Sequence, residues 1–162
     1  LPTTLNLLYK ERPALWEQDF EWTGFSWIDA NDTDQNVLSF LRFPADRETG
    51  KPLACIANLS PVPREGYRLG VPHDAVDANR FDQLVASARK AEPAGQGRLL
   101  GGALGLWRGW WREVPNTDPT DFWGSGVVNG GAMADGYGWH GHDQSLSLTL
   151  PPLGVVWLEP EA

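Results

Sequence analysis

A chain of 162 residues with 21 acidic against 13 basic side chains, and hence a net charge of −8, is a poor match for nucleic acid. Phosphate neutralisation needs clustered Lys and Arg, and here they are scattered, so a neutral ligand fits the charge better. The length and the 41% hydrophobic content suffice for one domain with a real core. The single cysteine, Cys55, excludes an intrachain disulfide, reads as a buried inert thiol and points to a reducing compartment. No apolar run approaches the roughly 20 residues of a membrane span, and no charged start leads into an apolar signal segment. A cytoplasmic protein without a membrane partner is expected.

The chain opens on Leu1 rather than Met, inside a helical pattern, which reads as the tail of a longer polypeptide. In "PTTLNLLYKERPAL" Thr4 offers an N-cap, Leu5, Leu8 and Tyr9 form one apolar side, and Pro13 ends the helix. So short a helix is marginal unless something covers it. From Phe25 the hydrophobic period changes to two. "FSWI", "VLSFLRF", "PLACIANLS", "YRLGV", "SLSLTL" and "GVVWLEP" read as short strands separated by Gly, Pro, Asn and Asp clusters. Leu146, Leu148 and Leu150 alternate with Ser and Thr, the pattern of a strand with one face on a core. The expected fold is all-β, an antiparallel β-sandwich. Residues 73–110 read as a partly helical insertion, with Val76, Arg80, Phe81, Leu84, Val85 and Ala88 along one side of a helix capped by Asp74 or Asp77. A Gly- and Leu-rich stretch without clear period follows that helix.

Asp29, Asn31, Asp32 and Asp34 lie between two strands. As an EF-hand they fail, because Asp34 and Phe40 stand where the loop needs Gly and Glu. As a hairpin turn they fit, since Asp and Asn bond their own backbone and tolerate positive φ. "GQGRLLGG" lacks the third Gly of a dinucleotide fingerprint, and "WGSGV" has Trp123 where a nucleophile elbow needs Gly. His140, His142 and Asp143 in "WHGHD" would need a fourth metal ligand from elsewhere and read as solvated loop residues. No catalytic residue, metal site or cofactor is expected.

Nine tryptophans are the compositional oddity. Sugars pack their C–H faces on flat aromatic rings while their hydroxyls seek polar neighbours. Trp27 and Trp157, alternating within strands, are expected in the core. Trp123 and Trp139 lie in Gly-rich loops, where core and sugar platform both remain open. With Tyr137, Asn116 and Asp118 they are the glucan-binding candidates.

Five blocks in order, "FSWIDANDTDQNVLSFLR", "NLSPVPREGYRLGVP", "WREVPNTD", "GSGVVNGG" and "WHGHDQSLSLTLPPLGVVWLEPE", resemble the carboxy-terminal region of bacterial 1,4-α-glucan branching enzymes, members of the α-amylase superfamily. "LNLLYKERPAL" is similar to the last helix of that family's catalytic barrel. The resemblance implies that residues 1–18 are a remnant of that helix and that 19–162 form the all-β carboxy-terminal domain, with 73–110 inserted. It implies an α-glucan partner, the enzyme's own barrel as a second, and a retaining two-carboxylate mechanism whose residues lie at barrel strand ends. A barrel needs about 250 residues, so none of those carboxylates falls in this chain, which by itself should be inactive. Two departures stand out: 38 residues, His73 to Trp110, where the family has a few, and Pro115 where it has an aliphatic residue. The 38 residues read either as a helical lobe or as an out-of-frame stretch. A free-standing carbohydrate-binding module and an interaction domain, docking through Phe81, Leu84 and Leu99, are the competing classes.

Overall fold

The computed structural model describes residues 2–47, 50–72, 86–90, 92, 93, 95, 97 and 109–161. Helix α1, Pro2–Glu11, leaves Leu5, Leu7 and Tyr9 exposed. Pro13 cannot continue the hydrogen-bond ladder and instead starts a 3₁₀ turn, Pro13–Leu15, in which Ala14 is buried. The strands that follow are β1 (Phe25–Asp32), β2 (Val37–Arg42), β3 (Leu53–Asn58), β4 (Arg64–Val71), β5 (Trp110–Asn116), β6 (Gly131–Met133), β7 (Gln144–Leu150) and β8 (Val155–Pro160).

All pairings are antiparallel, in a six-stranded sheet of order β1-β2-β3-β8-β5-β6 and a two-stranded sheet, β4-β7. The alternation read in the sequence places Leu146, Leu148 and Leu150 inward, opposite Leu69 and Tyr67 on β4. These side chains meet Val37, Leu41, Ala54, Ile56, Val156 and Leu158 from the larger sheet, closing one core between the two layers. Trp111 of β5 belongs to that core and is fully buried.

The expectation for Trp27 and Trp157 is corrected by the register. Trp27 pairs with Phe40, Phe40 with Cys55, and Cys55 with Trp157, so the four form one row across β1, β2, β3 and β8. Their neighbours Leu41, Ala54 and Leu158 point into the core, so this row lies on the opposite, outer face. Trp27 is 53% exposed there. Strand alternation identifies a shared face, but not which of two apolar faces is covered.

The segment after α1 lies along part of that outer face. Arg42 donates from Nε to the Ala14 carbonyl at 3.2 Å, and Gln18 donates to the Pro44 carbonyl at 3.1 Å. The reading of Asp29, Asn31, Asp32 and Asp34 as a turn is corrected in part: the first three belong to β1, opposite β2, and only Asp34 lies in the hairpin turn, residues 33–36, where the Asp32 carboxylate accepts from the Gln35 N–H at 3.1 Å and Asn36 takes a positive φ of 57°. Pro115 sits where the β5–β8 register shifts, a place that needs no ladder donor from it. Of the proposed insertion, 86–90 is helical with Ala88 buried, and Trp110 already belongs to β5. Asp74, Val76, Asp77, Arg80, Phe81, Leu84, Val85 and Leu99 lie outside the described residues.

Candidate functional site

Residues 117–130 join β5 to β6 as a loop organised from within. Asn116 is buried, and its side chain is wholly engaged: it donates to Glu113 and to the Val127 carbonyl, both at 2.9 Å, and accepts from the Asp118 N–H at 2.8 Å. Asp118, also buried, accepts from the Ser125 N–H (2.9 Å), the Ser125 hydroxyl (2.7 Å) and the Val127 N–H (2.8 Å). Burial alone would raise its pKa, but the hydrogen bonds from Ser125, Val127 and Gly126 outweigh it and hold the carboxyl below its ordinary value. A side chain on Gly124 would overlap the Asp118 backbone, so the loop closes only with glycine there. Asn129 fastens the far end, accepting from the Thr149 N–H and donating to Glu113.

This frame displays Trp123. It caps the 3₁₀ turn Thr120–Phe122 in the left-handed region, φ 62°, and its side chain is 98% exposed. A bulky residue held at positive φ and left in water is unfavourable for folding on both counts.

Tyr137 and Trp139 lie on the segment that leads into β7. Their ring centroids are 6.3 Å apart with planes inclined by 33°, and both rings are substantially exposed. The Arg68 guanidinium lies 4.6 Å from the Tyr137 centroid and bonds both Asp135 oxygens, at 3.1 and 3.0 Å. Burial would raise the Asp135 pKa, but Arg68, the Tyr137 N–H and Ser145 hold it below its ordinary value. Among the described residues Trp123 makes no ring contact with this pair. The five candidates therefore divide: Tyr137 and Trp139 meet as one platform, Trp123 stands alone, and Asn116 and Asp118 shape the loop that carries Trp123.

His140 departs from the expectation of a solvated loop histidine. Its side chain is 12% exposed, its Nδ1 accepts from the Gly70 N–H at 3.3 Å, and its Nε2 lies 3.4 Å from Asp29 Oδ2. The sequence carried no sign of this, because Gly70 and Asp29 are far from His140 along the chain. Among the described residues no cluster of His, Cys, Asp and Glu is placed to hold a metal ion, and no helix is long and apolar enough to cross a membrane.

The described residues thus form an all-β sandwich with an outer apolar sheet face and exposed aromatic loops. The chain belongs to the family described as alpha amylase, C-terminal all-beta domain, whose model matches residues 27–92 and 103–161. It is 38% identical over 158 residues to a 1,4-alpha-glucan branching enzyme of Aquifex aeolicus (strain VF5), covering 97% of this chain and 19% of that protein. Against the enzymes of the same name from Mycolicibacterium paratuberculosis (strain ATCC BAA-968 / K-10) and Kitasatospora aureofaciens it is 39% and 38% identical, over 97% and 96% of this chain and 17% and 16% of theirs. The chain thus spans less than a fifth of the length of these relatives.

Proposed function

We propose that this chain is the non-catalytic carboxy-terminal domain of a cytoplasmic 1,4-α-glucan branching enzyme. It seats against the catalytic barrel through the outer face of its six-stranded sheet and offers α-glucan a surface at Trp123, Tyr137 and Trp139. The observation that carries the reading is the composition of that outer face. The row Trp27–Phe40–Cys55–Trp157 is flanked by the paired row Leu38–Ala57–Val155, and neither row contains a charge. Phe25 and Phe40 stack at 5.2 Å within it, while Phe20 is fully exposed and Trp22 is 86% exposed nearby in sequence. An apolar area of this extent is characteristic of an interface.

In this reading α1, with Leu5, Leu7 and Tyr9 facing outward, is the last barrel helix within residues 1–18, and 73–110 is an insertion on the domain. The retaining chemistry belongs to carboxylates of the barrel, and the domain supplies no catalytic group, metal or cofactor. Trp139, Tyr137 and Trp123 give the C–H faces of glucose units flat partners, and Asn116 and Asp118 act indirectly by holding the Trp123 loop. The exposed aromatic loops alone would also suit a free-standing carbohydrate-binding module. The part of the outer face around Trp27, which no described residue covers, favours the domain of a larger enzyme.

The glucan surface is tested by affinity electrophoresis in native gels with and without glycogen. Retardation that falls in Trp139→Ala and Trp123→Ala is expected. Native chain that migrates identically in both gels would remove glucan from the reading.

A further inference from the structure

Trp139 and His142 exchange backbone hydrogen bonds of 3.0 and 2.9 Å around a two-residue turn, in which His140 and Gly141 have φ of 52° and 79°. Two successive positive φ values define a tight hairpin turn of the I′ kind, whose first position favours Asn, Asp or Gly. What holds His140 there is its side chain. The imidazole sits against β4 and β1, accepting from the Gly70 N–H at 3.3 Å and presenting Nε2 to Asp29 at 3.4 Å. Its ring also lies 6.3 Å from that of Tyr67 and 5.9 Å from that of Trp139. Gly70 makes the approach possible, since a Cβ at that position would overlap the Trp139 carbonyl and stand 3.0 Å from His140 Cβ.

We propose that His140, as a neutral imidazole wedged between β4 and β1, is the positioning residue that fixes the Tyr137–Trp139 platform on the sandwich, so that ligand binding there is lost when the imidazole takes up a proton. This rests on the reading of that pair as a glucan platform. Nδ1 is an acceptor and Nε2 therefore carries the single ring proton. A proton taken from water onto Nδ1 places one donor against another and breaks the bond to Gly70, which is the link between the turn and β4.

The charged and titratable groups facing the imidazole are Asp29 and Asp32 of β1, Tyr67 of β4 and His142 across the turn. Burial is the largest influence and lowers the His140 pKa from 6.5; His142 adds to it, and Asp29 and Asp32 oppose it without reversing it. The folded chain thus binds this proton less readily than the unfolded one. The stabilisation is complete above the unfolded value of 6.5 and is lost as pH falls through the lower folded value.

The test compares the chain with His140→Asn, whose amide oxygen can accept from the Gly70 N–H, which tolerates positive φ, and which does not titrate. Maltoheptaose affinity is measured at pH 7.5 and at a pH below the midpoint at which the His140 ring resonances titrate. The ring C–H resonances of His140 and the indole N–H resonance of Trp139 are followed through the same range without ligand. The native chain should lose about tenfold in affinity on acidification, the worth of one hydrogen bond, with the Trp139 resonance moving along the His140 titration. His140→Asn should bind equally at both pH values. Equal acid losses in the two proteins, or a Trp139 resonance that ignores the His140 titration, would overturn the proposal. Absence of binding at every pH would overturn the glucan reading on which it rests, whereas the ligand-free resonances decide the positioning role by themselves.

Discussion

Arg12 and Glu159, 147 residues apart in sequence, are joined by two hydrogen bonds, Nε to Oε2 at 2.7 Å and Nη2 to Oε1 at 3.3 Å. Arg112 of the neighbouring strand reaches the same carboxylate at 2.5 Å, and that carboxylate is 4% exposed. Glu159 therefore ties the segment after α1 to the outer face of β8. The carboxylate is buried between two guanidinium groups, whose hydrogen bonds compensate its removal from water.

Replacing Glu159 by Ala removes both ties. Because Arg12 and Arg112 retain access to water, the loss should be about 1–3 kcal/mol rather than the full penalty of a stranded buried charge. It should also loosen residues 2–24 first. Limited proteolysis should cleave there in Glu159→Ala before the midpoint of global unfolding, and native-like protection of that segment would contradict the role.

Asp118 is the keystone of the 117–130 loop. Asp118→Asn keeps the size but sets an NH₂ group against donors from Ser125 or Val127, and should cost about 2–3 kcal/mol in urea unfolding. Its folded pKa lies below the ordinary 3.8, so its contribution is complete above that value and disappears as pH falls through the lower folded value. Acid titration of the Trp123 resonances should show the loop opening only below the ordinary carboxylate range.

Cys55 lies in the middle of the aromatic row, and burial pushes its thiol up to about 12. The folded chain should not react with a disulfide reagent at pH 8 on the time scale in which the urea-unfolded chain reacts completely. Rapid labelling of the folded chain would place the thiol elsewhere.

Phe20 is wholly exposed, so Phe20→Ser should leave the unfolding midpoint within about 0.5 kcal/mol of the native value. Trp27, 53% exposed on the outer face, is the residue whose replacement by Ser should reduce concentration-dependent self-association through that face in sedimentation velocity. Unchanged association would assign the stickiness to another surface.

The sandwich was legible because period-two alternation is local: Leu146, Leu148 and Leu150 declare their shared face without reference to any partner. β5 was harder to see, since Pro115, Glu113 and Arg112 interrupt its apolar pattern, and only the register shift beside Pro115 explains how a strand accommodates them. The aromatic loops were visible as composition. Their division was not, because the engagement of Asn116 and Asp118 and the pairing of Tyr137 with Trp139 depend on how the loops close. His140 was misread for the same reason. Its partners Gly70 and Asp29 arrive from other strands, and a histidine between Trp139 and Gly141 has no local mark of burial.

The most direct measurement is to sequence the source DNA upstream of residue 1. The account predicts an open frame continuing into a (β/α)₈ barrel with the paired carboxylates of a glucan-transferring enzyme. A stop codon followed by a start immediately before residue 1 would contradict it, leaving the outer face with no barrel in its own chain to cover it.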